Sequence, residues 1–403
     1  MYLQHLPRIN TFSISDNKNI AFALNNLPVD ERIWFMQQID ARAKLRQKLP
    51  SWIKNDIVFP PSLNLEQSSS EISAKAKLDL IEGNSIWDLT GGFGVDSTIF
   101  ANAGFKVTHV EPNLSLQEHF IHNISIFAPN LKVETVNSSC ELFLTNLKDE
   151  RVDSIYIDPS RRDKSNQKAI LLNDYSPNLF EILPNMLDRA SVVLIKVSPM
   201  LDIHYLFQTL PCVFSISIIS VKNECKEVLI KLKKSFSGTP LISTLNYLSD
   251  SEVQRFSFDY QYEKSKAISV ENDALNSTNP QSIPLFLYDV NASIHKAQAY
   301  NLIEQKFGLT QISSQTHIFL SNNRIEDFPG RSFRIINVIP YKKAALDPKL
   351  RDIGFNIVPR NFIDSEITIR KKLGIKKNGT HYLYAVRNKE VKPMLFICEP
   401  LFI

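Results

Sequence analysis

Short apolar runs alternate with segments of helical length and period through the middle of the sequence, from Ile86 to about Leu232. This alternation predicts a parallel sheet whose strands are joined by crossover helices. The last two runs are separated by only a few residues, which predicts a hairpin and hence one antiparallel strand at the end of an otherwise parallel sheet. We therefore predict an α/β protein with a Rossmann-like, seven-stranded core. The predicted strands are Ile86–Leu89, Lys106–Val110, Lys132–Val136, Ser154–Ile157, Val192–Val197, Phe214–Val221 and Glu227–Leu232.

The first 80 residues are predicted to be helical. Asp30 is positioned to cap a helix that carries an apolar stripe at three- and four-residue spacing and ends near Lys48. Ser68 and Glu71 have the spacing of a capping box, which predicts a second helix directly before the first strand.

Beyond the core, a second set of strands and helices predicts a C-terminal α+β region. The interval from about residue 233 to 284 shows weaker order, and its stretch rich in Ser, Asn and Glu, 265–282, is typical of a linker. The elements predicted after it are a strand at Leu285–Tyr288, a helix from Ala292 to about Lys306, and strands at His317–Leu320, Phe333–Val338, from Ile367 onward, and at Tyr382–Val386.

The charge of the chain is unevenly distributed. The formal net charge is only +4, yet the segment from Arg331 to the end holds 15 Lys and Arg against 6 Asp and Glu. A basic C-terminal module on a mildly acidic body indicates contact with a polyanion, although a solvated lysine-rich face would give the same count.

Cysteine usage and hydropathy indicate a cytoplasmic protein. The four cysteines show no CxxC spacing and no paired framework, which fits a reducing compartment. The sequence has no apolar run near the roughly 18 residues that a membrane span needs, and its beginning does not resemble a secretory signal. We expect no membrane contact and no metal site.

A glycine-rich loop follows the first predicted strand. Its sequence is Asp88-Leu89-Thr90-Gly91-Gly92-Phe93-Gly94, and a helix is predicted to start at Val95-Asp96. Glycines at such a turn let the backbone bend sharply and let a ligand approach without a Cβ in the way, and the helix N-terminus adds oriented N–H groups. The residues that we assign to cofactor binding here are Asp88, Thr90, Gly91, Gly92, Phe93, Gly94 and Asp96.

The end of the second strand narrows the cofactor class. Glu111 stands where an acidic residue accepts hydrogen bonds from ribose hydroxyls. A nicotinamide dinucleotide is the rival ligand, but its G-x-G-x-x-G fingerprint would need a third glycine where this chain has Ser97. Asp88 on the strand tip is typical of methyltransferases, in which it can hold the methionine ammonium of S-adenosylmethionine. The pattern favours the methyl donor, with a ligand-free structural turn as a further alternative.

After the third strand, Ser138 is the candidate adenine contact, where many methyltransferases have Asp.

The fourth strand ends in the candidate catalytic motif, Asp158-Pro159-Ser160-Arg161-Arg162. In an open α/β sheet, ligands bind beyond the carboxyl ends of the strands, so Asp158 should lie beside the glycine loop. The motif looks like the D-P-P-x motif of enzymes that methylate nitrogens, in which this side chain accepts a hydrogen bond from the target amine. Arg161 replaces the aromatic residue that stacks on a base, and a guanidinium can also stack or clamp a phosphate.

We assign Asp158, Pro159 and Arg161 to catalysis. Arg162 and Lys196, the latter at the end of the fifth strand, are candidate substrate contacts. A structural role, with the arginines paired to nearby acids, is the alternative.

Several motifs together resemble bacterial class I S-adenosylmethionine-dependent methyltransferases that carry a C-terminal THUMP-like domain. These motifs are Glu66-to-Glu71, Asp88-to-Asp96, Ile157-to-Asp163, Lys196-to-Asp202, Asn223-to-Glu227, Leu287-to-Ala292, Phe328-to-Arg331 and Pro359-to-Phe362. The resemblance covers almost the whole chain. It implies an N-terminal helical region (1–80), a methyltransferase core (81–235), an extension or linker (236–280), a ferredoxin-like domain (281–325) and a THUMP-like domain (326–403).

The resemblance also implies an RNA partner, since THUMP domains proper bind RNA. In that interpretation Arg331 and Arg360 are candidate phosphate contacts. The leading hypothesis is an enzyme that methylates a nucleobase nitrogen of tRNA or rRNA. The alternatives are a methyltransferase acting on DNA, protein or a small molecule, and a catalytically silent protein that binds S-adenosylmethionine and RNA.

Overall fold

The computed structural model divides the chain into two compact units. Unit 1 comprises residues 1–219 and 226–238, and unit 2 comprises residues 220–225 and 239–403. The residues that the structure describes are 6–9, 20, 22, 24–54, 56–130, 133–161, 171–260, 284–376, 378–388 and 392–401.

Unit 1 begins with short helices, as predicted, but their caps differ from the prediction. The long helix begins at Val29 without a side-chain cap, so Asp30 lies in its first turn, where a carboxylate favours the positive end of the helix dipole. The capping box is formed by Ser70 and Ser73 rather than by Ser68 and Glu71. The helices are α1 (Leu6–Ile9), α2 (Val29–Leu45), α3 (Ser62–Gln67) and α4 (Glu71–Ala76), with 3₁₀ turns at Pro50–Trp52 and Leu78–Leu80.

The core of unit 1 contains the seven predicted strands as neighbours in one sheet. Its strand order is β8-β9-β7-β4-β1-β2-β3, and β7 pairs parallel with β4 but antiparallel with β9. The prediction of an α/β core with one antiparallel strand near its end is confirmed. The strands are β1 (Ser85–Asp88), β2 (Lys106–Val110), β3 (Glu134–Val136), β4 (Val152–Ile157), β5 (Ser160–Arg161), β6 (Tyr175–Ser176), β7 (Ala190–Val197), β8 (Val213–Val221) and β9 (Glu224–Leu232).

Five helices follow the strands of this core, and most of them start at a side-chain cap. Asn113, Ser139, Asn178 and Asp202 each accept a hydrogen bond from a backbone N–H of the helix that they precede. These caps fix where each helix leaves the carboxyl edge of the sheet. The helices are α5 (Val95–Asn102), α6 (Leu114–Phe127), α7 (Cys140–Asn146), α8 (Leu179–Arg189) and α9 (Ile203–Thr209).

The hairpin between β8 and β9 is tighter than predicted. Only Lys222 and Asn223 separate the two strands, and both have positive φ angles of 50° and 63°. Two left-handed residues in a two-residue loop match the right-handed twist of the flanking strands. The antiparallel strand therefore starts at Glu224, three residues before the predicted start at Glu227.

The N-terminal helices of unit 1 pack against the glycine loop. Trp52, which is 1% exposed, lies with its ring centroid 4.8 Å from that of Phe93 and 4.6 Å from that of Phe127. Phe59 packs on the other side of Phe93 at 5.9 Å. The apolar residue in the middle of the loop is thus fixed by aromatic side chains that precede the sheet in sequence.

Unit 2 holds a hairpin and a second sheet. The sheet has seven strands in the order β13-β14-β12-β15-β18-β17-β16. The strands are β10 (Leu241–Tyr247), β11 (Val253–Asp259), β12 (Phe286–Val290), β13 (Thr310–Gln311), β14 (Ile318–Ser321), β15 (Gly330–Pro340), β16 (Phe355–Arg360), β17 (His381–Arg387) and β18 (Pro393–Pro400). The helices are α10 (Ala292–Ala297), α11 (Tyr300–Phe307), α12 (Pro348–Ile353) and α13 (Glu366–Leu373).

Two predictions for this part of the chain were wrong. The strand expected from Ile367 onward is helix α13, which Ser365 caps. The helix expected from Ala292 to Lys306 is broken at Gln298, whose φ of 55° is left-handed. The interval predicted to be an extension or linker contains the hairpin β10–β11, while residues 261–283, which include the whole Ser-, Asn- and Glu-rich stretch, lie outside the described residues.

Within the described ranges, no helix is both long and apolar enough to cross a bilayer.

The aromatic contact on the glycine loop yields a stability prediction. Trp52→Ala removes a buried ring and leaves a cavity, so we expect the free energy of unfolding to fall by about 3–5 kcal/mol. Leu63→Ala is the control, because Leu63 is 63% exposed and should change stability by less than about 0.5 kcal/mol. Urea denaturation measures the free energy of unfolding of both variants. It is monitored by circular dichroism of the backbone, a signal that does not depend on Trp52. Equal stability of the two variants would contradict the packing role of Trp52.

Candidate functional site

A cavity of about 1090 Å³ opens at the carboxyl edge of the unit 1 sheet. Its walls come from the glycine loop, the ends of β2, β4 and β7, the start of α7 and the segment between α3 and α4. Carboxyl ends of parallel strands are where open α/β sheets bind ligands. The predicted site residues that line it are Thr90, Gly91, Gly92, Phe93, Gly94, Asp96, Glu111, Asp158, Pro159 and Lys196.

The glycine loop lies unusually close to β2 and α6. A Cβ built on Gly91 would be 2.1 Å from the His109 ring, and one on Gly94 would be 2.0 Å from the Phe120 ring. These two rings stack on each other with centroids 3.7 Å apart. Gly94 also has a φ of 85° at the start of α5, a conformation that favours glycine. The loop therefore needs glycine at both positions for steric reasons.

Glu111 holds the loop from the side of the cavity. One carboxylate oxygen accepts from the Gly92 N–H at 2.8 Å, and the other accepts from the Asn113 N–H at 2.8 Å. Burial raises the pKa of Glu111, and the two backbone N–H groups partly offset this rise. Each carboxylate oxygen can accept a further hydrogen bond, so the group can bind a hydroxyl while it supports the loop.

Asp88 lies behind the loop rather than on the cavity wall. Its side chain is buried and accepts a hydrogen bond from the Ser97 hydroxyl at 2.6 Å, while the Ser97 oxygen lies 3.0 Å from His109 Nδ1. The Nε2 atom of His109 is buried, and it has no hydrogen-bond partner among the described residues. Burial lowers the pKa of His109 to about 3, so the ring is neutral.

A buried charge cluster supports the start of helix α5. Lys77, which is fully buried, forms ion pairs with Asp96 at 2.8 Å and with Glu227 at 3.2 Å. Asp96 also accepts hydrogen bonds from Ser69 at 2.7 Å and from the Tyr156 hydroxyl at 3.2 Å. Burial alone would raise the pKa of Asp96, but the charges of Lys77 and of Lys196 outweigh it and lower that pKa.

Sequence reasoning missed two members of this cluster. Lys77 lies just after α4, and Glu227 lies within β9. The two residues are 150 positions apart in the sequence. No local spacing signals such a contact. Glu227 belongs to the motif Asn223-to-Glu227, but that motif does not indicate which residue it pairs with.

The segment between α3 and α4 forms a further wall of the cavity. Lys48 donates to the carbonyl oxygens of Leu65 and Glu66 at 2.7 and 2.9 Å. Burial, together with the charges of Lys196 and Lys226, lowers the pKa of Lys48 to about 8. The motif that begins at Glu66 thus lines the candidate site and is fixed by backbone hydrogen bonds.

Asp158 is fixed at its backbone and at its carboxylate. Its N–H donates to the Thr90 hydroxyl at 2.7 Å, which ties the catalytic motif to the glycine loop. Lys196 Nζ contacts Asp158 Oδ2 at 2.5 Å. Burial opposes a charge on Lys196, but Asp158, Glu227 and Asp96 outweigh this effect and raise the pKa of the ammonium group. Among the described residues, no donor contacts Asp158 Oδ1.

The structure places the other predicted residues as follows. Ser138 does not line the cavity; its hydroxyl donates to the Ser139 carbonyl at 3.0 Å, and Ser139 and Cys140 form that wall instead. The backbone of Arg161 pairs with Tyr175, whereas its side chain and all of Arg162 lie outside the described residues. Arg331 and Arg360 lie in unit 2, where both contact Asp289.

The four cysteines all fall in the described part of the chain, and none forms a disulfide. Burial strongly raises the pKa of the Cys140 thiol, which leaves it protonated near neutral pH. The proximity of Cys140 to the cavity therefore does not indicate a nucleophile.

Asp88 yields a prediction about pH. Burial raises its pKa from 3.8 to about 7, so the folded state binds a proton more tightly than the unfolded state does. Stability is therefore highest below about pH 4 with respect to this group and falls as pH rises towards 7. Asp88→Asn should reduce this loss of stability by a few kcal/mol, which is the order of free energy that corresponds to a pKa shift of this size. Urea unfolding at pH 4.5 to 7.5 measures it, with exposed Asp79→Asn as the control. Parallel curves for wild type and Asp88→Asn would contradict the raised pKa.

Two family profiles match unit 2. A ferredoxin-like domain profile matches residues 286–329, and a THUMP domain-like profile matches residues 330–400. No curated protein matches the chain significantly in sequence. Both C-terminal domains that the resemblance implied are thus confirmed.

One solved structure is similar to the whole chain. It is a candidate methyltransferase from Porphyromonas gingivalis W83, 26% identical, with a TM-score of 0.86 over 99% of this chain and 98% of that one. A Pyrococcus abyssi tRNA (uracil-54, C5)-methyltransferase in complex with S-adenosyl-L-homocysteine matches 45% of this chain and 41% of its own, at 19% identity and a TM-score of 0.28. An rRNA methylase from Streptococcus thermophilus matches 41% and 94%, at 18% identity and a TM-score of 0.29.

We draw no inference from the last two matches, because their TM-scores are low. The strand order of unit 1, the antiparallel β9, the whole-chain similarity and the two profiles agree with one another. This chain has the fold of the class I S-adenosylmethionine-dependent methyltransferases, followed by a ferredoxin-like domain and a THUMP-like domain.

Proposed function

We propose that the protein is an S-adenosylmethionine-dependent methyltransferase that modifies a nucleobase nitrogen of structured RNA, with Asp158 orienting the acceptor. The observation that carries the proposal is that Glu111, the glycine loop and Asp158 line one cavity at the carboxyl edge of the sheet. A residue suited to ribose, a backbone suited to close approach and a carboxylate suited to an amine therefore face the same space.

The cavity residues fit the cofactor. Glu111 keeps lone pairs for two ribose hydroxyls, and a Cβ on Gly92 would meet no atom closer than the Thr90 carbonyl oxygen at 3.8 Å, which leaves the loop backbone accessible there. Ser139 and Cys140 provide the wall at which an adenine ring would lie. Bound here, S-adenosylmethionine would supply the electrophilic methyl group of its sulfonium.

Asp88 and Ser138 take indirect roles in this proposal. Asp88 shapes the loop through Thr90, whose N–H lies 3.3 Å from its carboxylate, and through Ser97. Ser138 precedes the capping residue of α7 and sets the position of the cavity wall.

Asp158 is suited to orient an acceptor amine. Lys196 holds one of its oxygens, and the other is left to accept an N–H from a substrate. A hydrogen bond of this kind aims the nitrogen lone pair, and alignment supplies much of the rate in an in-line displacement. Pro159 stiffens the turn after Asp158. Arg161 and Arg162 follow Ser160 in the sequence and are the proposed contacts to the base and to a phosphate.

The C-terminal region supports RNA as the substrate. The segment from Arg331 onward has a surplus of nine positive charges, and the same segment matches the THUMP-like profile. Lysine and arginine contacts to phosphate supply most of the affinity of nonspecific nucleic-acid binding.

Glu111 tests the cofactor assignment. Glu111→Ala removes the ribose acceptors and one support of the loop, so we expect the affinity for S-adenosylhomocysteine to fall by about 10²-fold or more, since two hydrogen bonds to a charged group are lost. Isothermal titration calorimetry measures it. Glu118→Ala, an exposed change on α6, should bind like wild type. Unchanged binding by Glu111→Ala would end the proposed cofactor site.

Asp158 tests the acceptor assignment. Asp158→Ala should lower kcat for methyl transfer by about 10²- to 10⁴-fold. S-adenosylhomocysteine should still bind, because the backbone hydrogen bond from residue 158 to Thr90 on the glycine loop is kept and the lost carboxylate contacts only Lys196 and the acceptor. Asp202→Asn is the control, since asparagine caps a helix as well as aspartate does. The assay transfers labelled methyl groups to RNA from cells that lack the protein and to RNA from cells that contain it.

The outcomes separate the alternatives. Equal incorporation into both RNA pools would reject RNA as the substrate, and labelling of DNA, of a protein fraction or of a small molecule would identify the other acceptor class. Binding of S-adenosylhomocysteine and RNA without any transfer would indicate a catalytically silent protein. Loss of one modified nucleoside from cellular RNA in the knockout would identify the base.

A further inference from the structure

Three motifs that take no part in the methyltransferase site meet at one buried carboxylate in unit 2. Asp289 lies in β12, Arg331 lies at the start of β15, and Arg360 ends β16. The Asp289 side chain is fully buried, whereas those of Arg331 and Arg360 are 37% and 31% exposed. The arginines thus extend from a buried anchor to the surface.

The anchor is crowded with donors. Asp289 Oδ2 lies 2.6 Å from Arg331 Nη2, 3.0 Å from Arg360 Nη2 and 3.0 Å from the Tyr384 hydroxyl. His295 Nε2 approaches the other oxygen at 3.6 Å. Because both guanidinium groups contact the same oxygen atom, they are held side by side.

Backbone geometry brings these residues together. A Cβ on Gly330 would be 2.3 Å from the Asp289 carbonyl oxygen, so glycine is required before Arg331 for β15 to approach β12. Three strands separate β12 from β16 in the sheet, yet Arg360 reaches Asp289. The twist of the sheet must therefore curl its outer strand back towards β12.

The cluster carries a surplus of positive charge. Burial would raise the pKa of Asp289, but the proximity of His295 and the charges of Arg360 and Arg331 outweigh it and hold that pKa well below its usual range. Burial, His295 and Arg360 lower the pKa of the neighbouring His317 to about 4, so that ring is neutral at pH 7. One carboxylate therefore faces two guanidinium groups, and neither has a second carboxylate partner within the described residues.

The arginines also have donors that Asp289 does not use. The Nε atom of each is buried and has no acceptor in the part of the chain that the structure describes, and each arginine contacts Asp289 only through its Nη2 atom. Buried donors of this kind normally find a partner. Two guanidinium groups that meet at one carboxylate can each offer a fork of N–H donors to phosphate oxygens.

We propose that Arg331 and Arg360, aligned by Asp289, form a binding site for a single phosphate group at the junction of the ferredoxin-like and THUMP-like domains. Neither domain has the site alone, since the anchor belongs to the first and both arginines belong to the second. The occupant is a backbone phosphate of the RNA. This identification rests on the proposed function, whereas the phosphate site itself does not.

The first experiment uses inorganic phosphate and the full-length protein. Melting temperatures are measured in phosphate and in chloride at equal ionic strength. Wild type should melt several degrees higher in phosphate, and Arg331→Gln and Arg360→Gln should lose this difference. Arg334→Gln is the matched control, because Arg334 lies on the same strand and pairs with Glu399 at the surface, and it should keep the difference. No difference in wild type would overturn the proposal and leave the cluster a structural ion pair.

Asp289→Asn separates a binding site from a structural ion pair. Without the carboxylate the two arginines repel each other, so this variant should melt lower in chloride and recover more in phosphate than wild type does. Equal losses in both salts would contradict the site. Arg360→Lys keeps the charge but not the fork, and it should fold normally with a reduced phosphate effect, which excludes misfolding as the cause of the glutamine results.

A separate measurement tests whether the phosphate that occupies the site belongs to RNA. Binding of total tRNA is measured against salt concentration, and each glutamine variant should reduce the slope of log K against log[salt] by about 1. An unchanged slope together with a lost phosphate effect would reject RNA as the occupant and indicate a small phosphorylated compound. S-adenosylhomocysteine binding is followed in the same variants and should stay at the wild-type value, so failure of the methyltransferase proposal and failure of this one give different results.

Discussion

The candidate active site depends on how closely the glycine loop approaches the second strand and helix α6. Side chains at two loop positions would overlap His109 and Phe120, and the same two rings stack on each other. The loop is thus fixed from below by neutral aromatic surfaces and from above by Trp52 and its neighbours. Glu111 and Asp158 then attach to it by single hydrogen bonds to Gly92 and Thr90.

Because the site depends on this close approach, the polar groups around the loop have two different roles. Asp88 and His109 are fully buried and support the loop through Ser97, whereas Glu111 and Asp158 reach the cavity and keep unused acceptor capacity. The sequence pattern marks all of them as polar residues at strand ends. Contact with the cavity separates Asp88 and His109, which only support the loop, from Glu111 and Asp158, which can also hold a ligand.

The architecture was predictable from the sequence because strand periodicity and crossover lengths are local signals. The strand at Lys106–Val110 has the predicted bounds, and the order of the sheet follows from connection lengths. The predictions that failed concern features that depend on single backbone angles or on distant contacts. Gln298 breaks a helix through a left-handed φ that its residue type does not signal. Helix α13 replaced a predicted strand because Ser365 caps it.

The residues of the candidate site likewise divide into those that the sequence predicts and those that it does not. Glu111, Asp158 and Lys196 were predictable because each ends a strand at the edge where ligands bind. Lys77 and Glu227 were not, since nothing in the local sequence of either indicates that the two would pair. In unit 2 the motifs around Asp289, Arg331 and Arg360 were each visible, but their meeting depends on the curl of a seven-stranded sheet.

The two buried charge clusters have opposite balances, and this difference bears on function. In unit 1, two lysines directly contact three carboxylates, and these carboxylates raise the pKa of Lys196. In unit 2, two arginines share one carboxylate whose pKa is lowered. Ion clusters that serve only stability tend towards neutral pairing, because an uncompensated buried charge is costly. Lys48 and Lys226 add positive charge beside the unit 1 cavity, so only the arginine excess of unit 2 selects the charge of its ligand, and that excess suits a phosphate. The charge balance of that cluster is thus the physical link between the fold of unit 2 and the ligand proposed for it.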